Sequence, residues 1–99
     1  MNRIMEALSE DGHFVLRSNS AVLYNQNGSR MRVGFPGLSD LVGCTSSGRF
    51  YAIEVKVPGE KPRENQEAFL ALIKRLGGLS GVATSPEEAL EIIREGESL

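Results

Sequence analysis

The apolar pattern predicts a helix at the start of the chain and a series of short strands after it. Apolar residues recur at helical spacing at Met1, Ile4, Met5 and Leu8. The segment EDG, residues 10–12, ends this helix. Strand composition follows in five stretches, at 13–18, 21–25, 30–34, 39–45 and 49–57. Asn27-Gly28 between the second and third stretches predicts a hairpin turn, and SSG at 46–48 predicts another.

The second half of the chain predicts a helix, a strand and a final helix. The polar loop at 58–65 leads into the first of these helices. The apolar face of that helix comprises Phe69, Leu72, Ile73 and Leu76. Gly77-Gly78 end it, and a short strand is predicted at 79–84. The last helix opens on a capping box with a proline inside it, formed by Ser85, Pro86 and Glu88.

These elements predict a single α/β domain over residues 1–99. The expected order is α-β-β-β-β-α-β-α. The strand–helix–strand–helix end implies a mixed, partly parallel central sheet flanked by helices. A chain of 99 residues buries only about 60–65% of its unfolded surface, so we expect one modest core.

Composition excludes several classes of protein. Hydrophobic residues make up 40% and charged residues 24% of the chain, as in ordinary globular domains. No apolar run approaches the roughly 18 residues of a membrane span. Acidic residues near the N-terminus argue against a secretory signal. Cys44 is the single cysteine, which excludes an internal disulfide and a multi-cysteine metal site and fits a reducing compartment.

Charge is unevenly distributed along the chain, although the formal net charge is only −2. From Arg17 to Arg75 there are nine basic and five acidic residues, a balance of +4. From Leu76 onward there are one arginine and five glutamates, a balance of −4. A basic middle and an acidic end can give one face that attracts a polyanion. The alternative interpretation is a mixed, solvated surface.

The stretch YAIEVKV, residues 51–57, combines a core strand with two charged side chains. Its apolar positions, expected to anchor the strand in the core, are Tyr51, Ile53, Val55 and Val57. Residues two apart on a strand share a face, so Glu54 and Lys56 project together from the other face. Asp40 begins the preceding strand, and the right register would place it opposite or diagonal to Glu54.

The chemistry of these three side chains points to a metal site. Two carboxylates held together repel each other unless a cation lies between them. Oxygen ligands with open water positions suit Mg²⁺ or Mn²⁺. The adjacent Lys56 can orient or deprotonate a water, or stabilise negative charge at phosphorus. We therefore predict metal-assisted phosphodiester hydrolysis; the alternative is a surface ion pair between Glu54 and Lys56, worth about 0–1 kcal/mol.

Three spaced motifs carry a family resemblance. They are Gly37-Leu38-Ser39-Asp40, Glu54-Val55-Lys56 and Gln66 at the start of a helix. In this order they resemble the core pattern of the VRR-NUC family of the PD-(D/E)XK nuclease superfamily. The resemblance covers essentially the whole chain and implies a restriction-endonuclease-like core.

The resemblance implies a role for each motif residue. Asp40 and Glu54 would bind Mg²⁺ or Mn²⁺, with the backbone carbonyl of Val55 as a further ligand. Lys56 would act on the attacking water or on the transition state. Gln66 would face the site from the first turn of its helix.

Two features of the resemblance are less direct. Glu6 corresponds to a first-helix glutamate that completes the site in related resolvases, with Glu10 as the alternative. The family often has a serine or threonine shortly before the glutamine, where this chain has Arg63 and Asn65. This departure concerns hydrogen bonding at the helix start rather than the metal ligands.

Basic and polar side chains outside the motifs are candidates for contacts with DNA phosphates. They follow the first strand, flank the Asn-Gly turn, or precede the helix of Gln66, and comprise Arg17, Asn19, Ser20, Arg30, Arg32, Lys61 and Arg63. The family's minimal members are dimers that cut branched DNA, so the resemblance implies a homodimer. The hairpin at 21–33, or the last strand and helix, would supply its interface.

The sequence thus predicts an Mg²⁺- or Mn²⁺-dependent endonuclease acting on double-stranded branched DNA, with four-way (Holliday) junctions as the expected substrate. No membrane and no small-molecule cofactor is expected, and the compartment would be the cytoplasm of a bacterial or phage-infected cell. Two other classes stay open: a catalytically silent branched-DNA-binding module, and a protein–protein module of a replication or phage-assembly complex.

Overall fold

A computed structural model of the protein describes residues 1–18, 21–24, 26–28, 30–33 and 37–98, with only the backbone at 21–24 and 30–33. This part of the chain contains three helices and six strands. In chain order they are α1 (Asn2–Glu10), β1 (Phe14–Arg17), β2 (Ala21–Tyr24), β3 (Arg30–Val33), β4 (Leu41–Cys44), β5 (Phe50–Val55), α2 (Glu64–Arg75), β6 (Leu79–Ala83) and α3 (Pro86–Glu97).

Four strands form the main sheet, in the order β1-β4-β5-β6. β1 and β5 both run antiparallel to β4, whereas β6 runs parallel to β5. β2 and β3 pair with each other in a separate antiparallel sheet, with Tyr24 opposite Arg30. The hairpin predicted around Asn27-Gly28 is therefore confirmed, but it stands apart from the main sheet.

The predicted fold class is confirmed, since the sheet is mixed and helices flank it. All five segments predicted as strands before α2 form strands. The full order is therefore α-β-β-β-β-β-α-β-α, one strand more than the order expected. α2 begins at Glu64, ahead of the predicted start at Gln66. Within the described ranges, no helix is both long enough and apolar enough to cross a membrane.

One face of the sheet carries the hydrophobic core. Side chains of the sheet pack there against α1 and α3, and the buried cluster comprises Ile4, Leu8, Leu41, Tyr51, Ile53, Leu79, Ala83, Ala89 and Ile93. Tyr51 lies across from Gly43, where a Cβ would be 2.9 Å from the tyrosine ring. The Tyr51 hydroxyl donates a hydrogen bond to the carbonyl of Phe14 at 2.7 Å. Glycine at position 43 thus gives the ring the space to tie β5 to β1.

The opposite face of the sheet is covered in part by α2. Ser80 Oγ donates a hydrogen bond to the carbonyl of the buried Leu70 in α2 at 2.7 Å. Ala52 and Glu54, on the same face, are 0% and 1% exposed. β5 is therefore buried on both faces, although its alternating sequence predicts one apolar and one polar face.

β5 ends earlier than predicted. Its last residue is Val55, although Lys56 N still donates to the carbonyl of Ala83 at 3.1 Å. Val57 is 62% exposed, so the prediction that it anchors the strand in the core is wrong. Its backbone N–H donates to Glu60 Oε1 at 3.0 Å, which begins the loop to α2. Lys56 consequently lies at the end of the sheet, where strand gives way to loop.

The N-terminal cap predicted for α3 is confirmed with one change. Ser85 Oγ accepts a hydrogen bond from Glu88 N at 3.2 Å. The Glu88 carboxylate accepts from both the backbone N–H and the hydroxyl of Thr84. The reciprocal bond of the capping box thus goes one residue further back, and it fixes the chain at the end of β6.

Candidate active site

Asp40 and Glu54 meet at one end of the main sheet. In the β4–β5 ladder Leu41 lies opposite Ile53, so Asp40 and Glu54 occupy the next positions outward in the same register. Asp40 lies just before β4, and its Oδ2 accepts a hydrogen bond from the backbone N–H of Val55 at 3.0 Å. The antiparallel register brings together two carboxylates that are distant in sequence.

The Glu54 carboxylate is buried and only half paired. Its Oε1 accepts a hydrogen bond from Gln66 Nε2 at 3.2 Å and lies 3.7 Å from Lys56 Nζ. Its Oε2 is also buried and has no hydrogen-bond partner in the described part of the chain. The protein therefore satisfies one oxygen of this carboxylate and leaves the other available.

Gln66 joins the start of α2 to Glu54. Its Oε1 accepts a hydrogen bond from the backbone N–H of Arg63 at 2.8 Å. Because an amide oxygen cannot donate, this bond directs the NH₂ group of the same amide at Glu54. Gln66 thus supplies the reciprocal bond of a capping box, from the third helical position back to the N-cap, and it orients a metal-ligand candidate at the same time.

The surroundings of Glu54 disfavour its charged form. Burial raises the pKa of its carboxyl from 4.5 to about 7, and the neighbouring Asp40 carboxyl acts in the same direction. The Lys56 ammonium opposes this shift. Without a further positive charge nearby, the Glu54 carboxyl is therefore inclined to keep its proton.

These carboxylates fit a divalent cation. A buried carboxylate oxygen without a partner is costly unless a proton or a cation compensates it, and Glu54 Oε2 is such an atom. Hard carboxylate oxygens suit Mg²⁺ and Mn²⁺, which keep several water ligands. No cluster of three or more His, Cys, Asp or Glu side chains forms within the described residues. Asp40 and Glu54 would then leave the remaining coordination positions to backbone, water or substrate.

Backbone contacts hold the loop that carries Asp40. Gly37 has a φ of +88°, and a Cβ there would lie 2.5 Å from the carbonyl oxygen of Asn65. The loop therefore touches the start of α2 directly. On its other side, Ser18 N donates to the Asp40 carbonyl at 2.9 Å, and the Ser18 hydroxyl donates to the Ser39 carbonyl.

The match to a family model decides what kind of domain this is. The model of the VRR-NUC domain matches residues 5–87. The chain belongs to the VRR-NUC family. A VRR-NUC domain is a nuclease-type domain, and VRR-NUC nucleases generally use divalent metal ions. The mixed sheet with flanking helices is consistent with a PD-(D/E)XK-like fold. No curated protein and no solved structure matches the chain.

The two glutamates considered for the first helix lie apart from the carboxylate pair. Glu6 is an exposed residue of α1, and Glu10 is exposed at the end of that helix. Neither forms a three-member acidic cluster with Asp40 and Glu54 among the residues described. A role for Glu6 in completing the site stays a prediction.

The candidate DNA contacts fall into three groups. Arg17 ends β1, and Lys61 and Arg63 are exposed in the loop before α2. Arg30 and Arg32 lie in β3, where the structure describes the backbone alone. Asn19 and Ser20 lie outside the described residues. The contacts of these side chains with DNA stay predictions.

His13 is held by hydrogen bonds at both nitrogens of its ring. Its Nδ1 accepts a hydrogen bond from Ser46 N at 3.1 Å, and its Nε2 lies 3.0 Å from Asp11 Oδ2. Both ring nitrogens are therefore engaged. They connect the end of α1 to the β4–β5 turn, at the opposite end of β5 from Glu54.

Sequence reasoning missed two features of this end of the molecule. The double role of Gln66 is hidden in the sequence because the N-cap position holds Arg63 rather than the serine or threonine of a capping box. Arg3 was not considered either, since it stands in an acidic N-terminal segment, yet it lines the same cleft as Arg17 and Lys56.

Proposed function

We propose that the protein is a metal-dependent, structure-selective endodeoxyribonuclease that hydrolyses phosphodiester bonds in branched DNA, most of all in four-way junctions. The observation that carries this proposal is the half-paired, buried carboxylate of Glu54 beside Asp40, with Lys56 and Gln66 on its other oxygen. A purely structural ion pair would explain the contact with Lys56. It would not explain why a second carboxylate is held beside a buried first one.

Asp40 and Glu54 would hold Mg²⁺ or Mn²⁺, together with the carbonyl of Val55. When bound, such a cation neutralises charge on the scissile phosphate and makes a coordinated water more acidic. The protein contributes the fixed positions of these ligands. The Val55 N–H orients Asp40, and the Gln66 amide orients Glu54.

Lys56 is the cationic group that would act on the reacting phosphate. Its side chain is 16% exposed, so it is shielded from bulk water while its ammonium group stays at the end of the sheet. A partly desolvated ammonium stabilises negative charge on a phosphate more strongly than a fully hydrated one. Lys56 would also orient the attacking water, and its contact with Glu54 Oε1 at 3.7 Å supports this role.

DNA binding would extend beyond the metal site. Arg17, Lys61 and Arg63 would contact phosphate groups near the scissile bond, and Arg30 and Arg32 would do so from the hairpin. Glu6 would approach the site from α1. Contacts of this kind position a duplex without reading its bases.

The active form would be a homodimer joined through an apolar surface on the same sheet face as Glu54. Two cross-strand rows form this surface: Phe14, Cys44 and Phe50 in one, Leu16 and Val42 in the next. Phe14, Leu16 and Phe50 are 64%, 53% and 45% exposed. α2, which covers the other half of this face, adds the exposed Leu72 and Leu76.

A second copy of this chain is the occupant that this apolar surface fits. Its five exposed side chains offer about 500 Å² of apolar area, which approaches the roughly 800 Å² that each partner contributes to a stable complex. The two cross-strand rows contain no charged residue, so two copies can meet across a two-fold axis without like charges facing each other. Because Glu54 lies on the same face, such a dimer would hold its two sites at a fixed distance on one assembly.

Cleavage of defined DNA substrates tests the proposal. Labelled four-way junction, flap and linear duplex are incubated with the protein in Mg²⁺, Mn²⁺ or EDTA. We expect junction cleavage with either metal and none in EDTA. Asp40→Asn, Glu54→Gln and Lys56→Met should each lower the rate at least about 100-fold, a typical loss for a catalytic group.

Lys74→Met is the matched control, because Lys74 is exposed in the last turn of α2 and its substitution removes the same charge at a distance from Glu54. Undiminished cleavage by Lys56→Met, or cleavage in EDTA, would contradict the mechanism. Junction binding without cleavage in any metal would instead identify a silent DNA-binding module.

A further inference from the structure

A cleft of about 800 Å³ opens beside the candidate active site. It lies between the start of α1, the end of β5 and the start of α3, and its polar lining includes Arg3, Arg17, Lys56, Glu60 and Ser85. We propose that this α1–α3 cleft binds the sugar–phosphate backbone of the DNA strand next to the scissile phosphate. The inference rests on the proposed function for its substrate, but the cleft itself is assigned from its own residues.

Lys56 connects the candidate metal site to the cleft. Its Nζ is 3.7 Å from Glu54 Oε1, and the residue also lines the cleft wall. A strand whose phosphate reaches Lys56 therefore continues naturally into the cleft. The carboxyl ends of the parallel strands β5 and β6 lie at this end of the sheet, which is where open α/β sheets place their ligands.

The charge of the cleft favours a polyanion. Arg3 and Arg17 are both exposed, and neither forms an ion pair with any residue that the structure describes. Among the described residues that line the cleft, Glu60 is the one acidic side chain, and its Oε1 accepts a hydrogen bond from the backbone N–H of Val57. Two guanidinium groups without partners are suited to phosphate, which they can bind with two parallel hydrogen bonds.

The remaining lining indicates backbone rather than base recognition. The lining residues include Ile4, Val55, Val57, Pro58 and Pro86, and none of the described residues around the cleft is aromatic. Stacking of unpaired bases requires aromatic faces, whereas aliphatic side chains and prolines can pack against deoxyribose. The cleft should therefore accept a strand of any sequence.

Salt dependence of DNA binding tests the cleft without any cleavage step. The double variant Arg3→Gln/Arg17→Gln is compared with the intact chain in EDTA, by measuring the affinity for a labelled four-way junction between about 50 and 200 mM NaCl. Each lost phosphate contact flattens the plot of log affinity against log salt by about 0.9. We expect a slope lower by about 2, with KM for cleavage raised and kcat changed less than about twofold.

The matched control is Lys74→Gln/Arg75→Gln, which removes the same two charges at the other end of α2. It should leave the slope unchanged. The variant Arg3→Lys/Arg17→Lys keeps both charges, so its plot of log affinity against log salt should have nearly the slope of the intact chain. Thermal melting of each variant confirms that it is folded, as expected for two exposed side chains.

An unchanged slope in Arg3→Gln/Arg17→Gln would overturn the cleft proposal, and so would an equal loss of slope in the Lys74/Arg75 control. The proposed function can fail independently of the cleft proposal. If the protein never cuts DNA, but the Arg3 and Arg17 changes flatten the salt dependence of binding, the cleft proposal stands and the nuclease mechanism is wrong. If the intact protein cuts DNA and the Arg3→Gln/Arg17→Gln variant shows an unchanged salt dependence of binding, the nuclease mechanism stands and the cleft proposal is wrong.

Discussion

Gln66 Nε2 donates a hydrogen bond to Glu54 Oε1 at 3.2 Å, while Gln66 Oε1 accepts one from the backbone N–H of Arg63 at 2.8 Å. One amide group thus caps the start of α2 and also binds a buried carboxylate. The helix start and the candidate site are consequently one hydrogen-bonded unit. A change that alters one end of this amide need not alter the other, which allows the two roles to be separated by mutation.

Gln66→Glu should separate the two roles of the amide. The glutamate keeps an oxygen for Arg63 N–H, so α2 retains its cap, but it replaces the donor to Glu54 with a third carboxylate. Gln66→Ala loses both bonds and should lower the free energy of unfolding by about 1–2 kcal/mol. We expect both variants to cut DNA slowly.

Urea unfolding of these two variants at pH 5 measures the contribution of the cap, because Glu54, whose pKa is raised to about 7, is then largely protonated and repels a neighbouring carboxylate less. Gln66→Glu should be the more stable of the two at that pH. Equal instability of the two variants would contradict a capping role for Gln66, and full cleavage activity in either would contradict its role at Glu54.

The metal-free protein should lose stability as the pH rises from about 4.5 through about 7. The pKa of Glu54 is raised in the folded state, so this group binds a proton more tightly when folded than when unfolded. Its contribution is fully present below the unfolded pKa of 4.5 and is lost as the pH passes about 7. The loss is on the order of 3 kcal/mol.

Chemical unfolding in EDTA at pH 5, 6, 7 and 8 measures this dependence. Glu54→Gln, an amide of the same shape, should remove it and should be the more stable protein at pH 8. Millimolar Mg²⁺ should stabilise the intact chain at pH 8 but not Glu54→Gln. A pH dependence that persists in Glu54→Gln would show that another group causes it.

Gly37→Ala should displace the loop that carries Asp40. The substitution strains a backbone with a φ of +88° and places a Cβ 2.5 Å from the Asn65 carbonyl oxygen. Gly59→Ala is a matched control, because Gly59 has a φ of +93° and a Cβ added there would have no atom within 4 Å. The control should cost about 1 kcal/mol from backbone strain alone.

Gly37→Ala should cost about 1–3 kcal/mol more than Gly59→Ala, since the contacting atom belongs to backbone that cannot rotate away. Thermal melting compares the two variants, and the cleavage assay should show a loss only for Gly37→Ala. Equal stability and equal activity of the two would mean that the loop does not depend on its contact with α2.

Phe14→Lys/Leu16→Lys should convert the proposed dimer to a monomer. The two lysines place four like charges across the proposed two-fold interface, which an apolar contact cannot compensate. Light scattering at micromolar concentration, with and without junction DNA, measures the change. Val57→Lys is the control for the measurement without DNA, because Val57 is 62% exposed but lies outside the apolar surface.

A dimer mass for Phe14→Lys/Leu16→Lys would place the interface elsewhere, and a monomer mass for the intact chain would remove the dimer from the proposal. If this surface is the dimer interface, we also expect the monomeric variant to bind duplex DNA, because the substitutions leave the proposed DNA contacts intact. It should cut four-way junctions on one strand at a time rather than on two.

The apolar pattern by itself located the helices and strands of this protein to within a few residues, because amphipathic periodicity and turn chemistry are local properties. The polar motifs likewise indicated the candidate chemistry. A [D/E]-x-K strand, an aspartate before a strand and a glutamine at a helix start can be recognised from residue type and spacing alone. Burial of Tyr51 and Ile53 follows directly from that periodicity.

The tertiary structure alone decided how these residues meet. The register Leu41–Ile53 sets Asp40 beside Glu54, and α2 buries the face on which Glu54 lies. Val57 was placed wrongly because a strand ends where its neighbours stop pairing with it, which its own sequence does not record. The unpaired oxygen of Glu54, and the position of Lys56 between Glu54 and the cleft, likewise arise from packing between elements distant in the chain. Burial depends on what covers a residue in the folded protein rather than on what precedes it in the sequence.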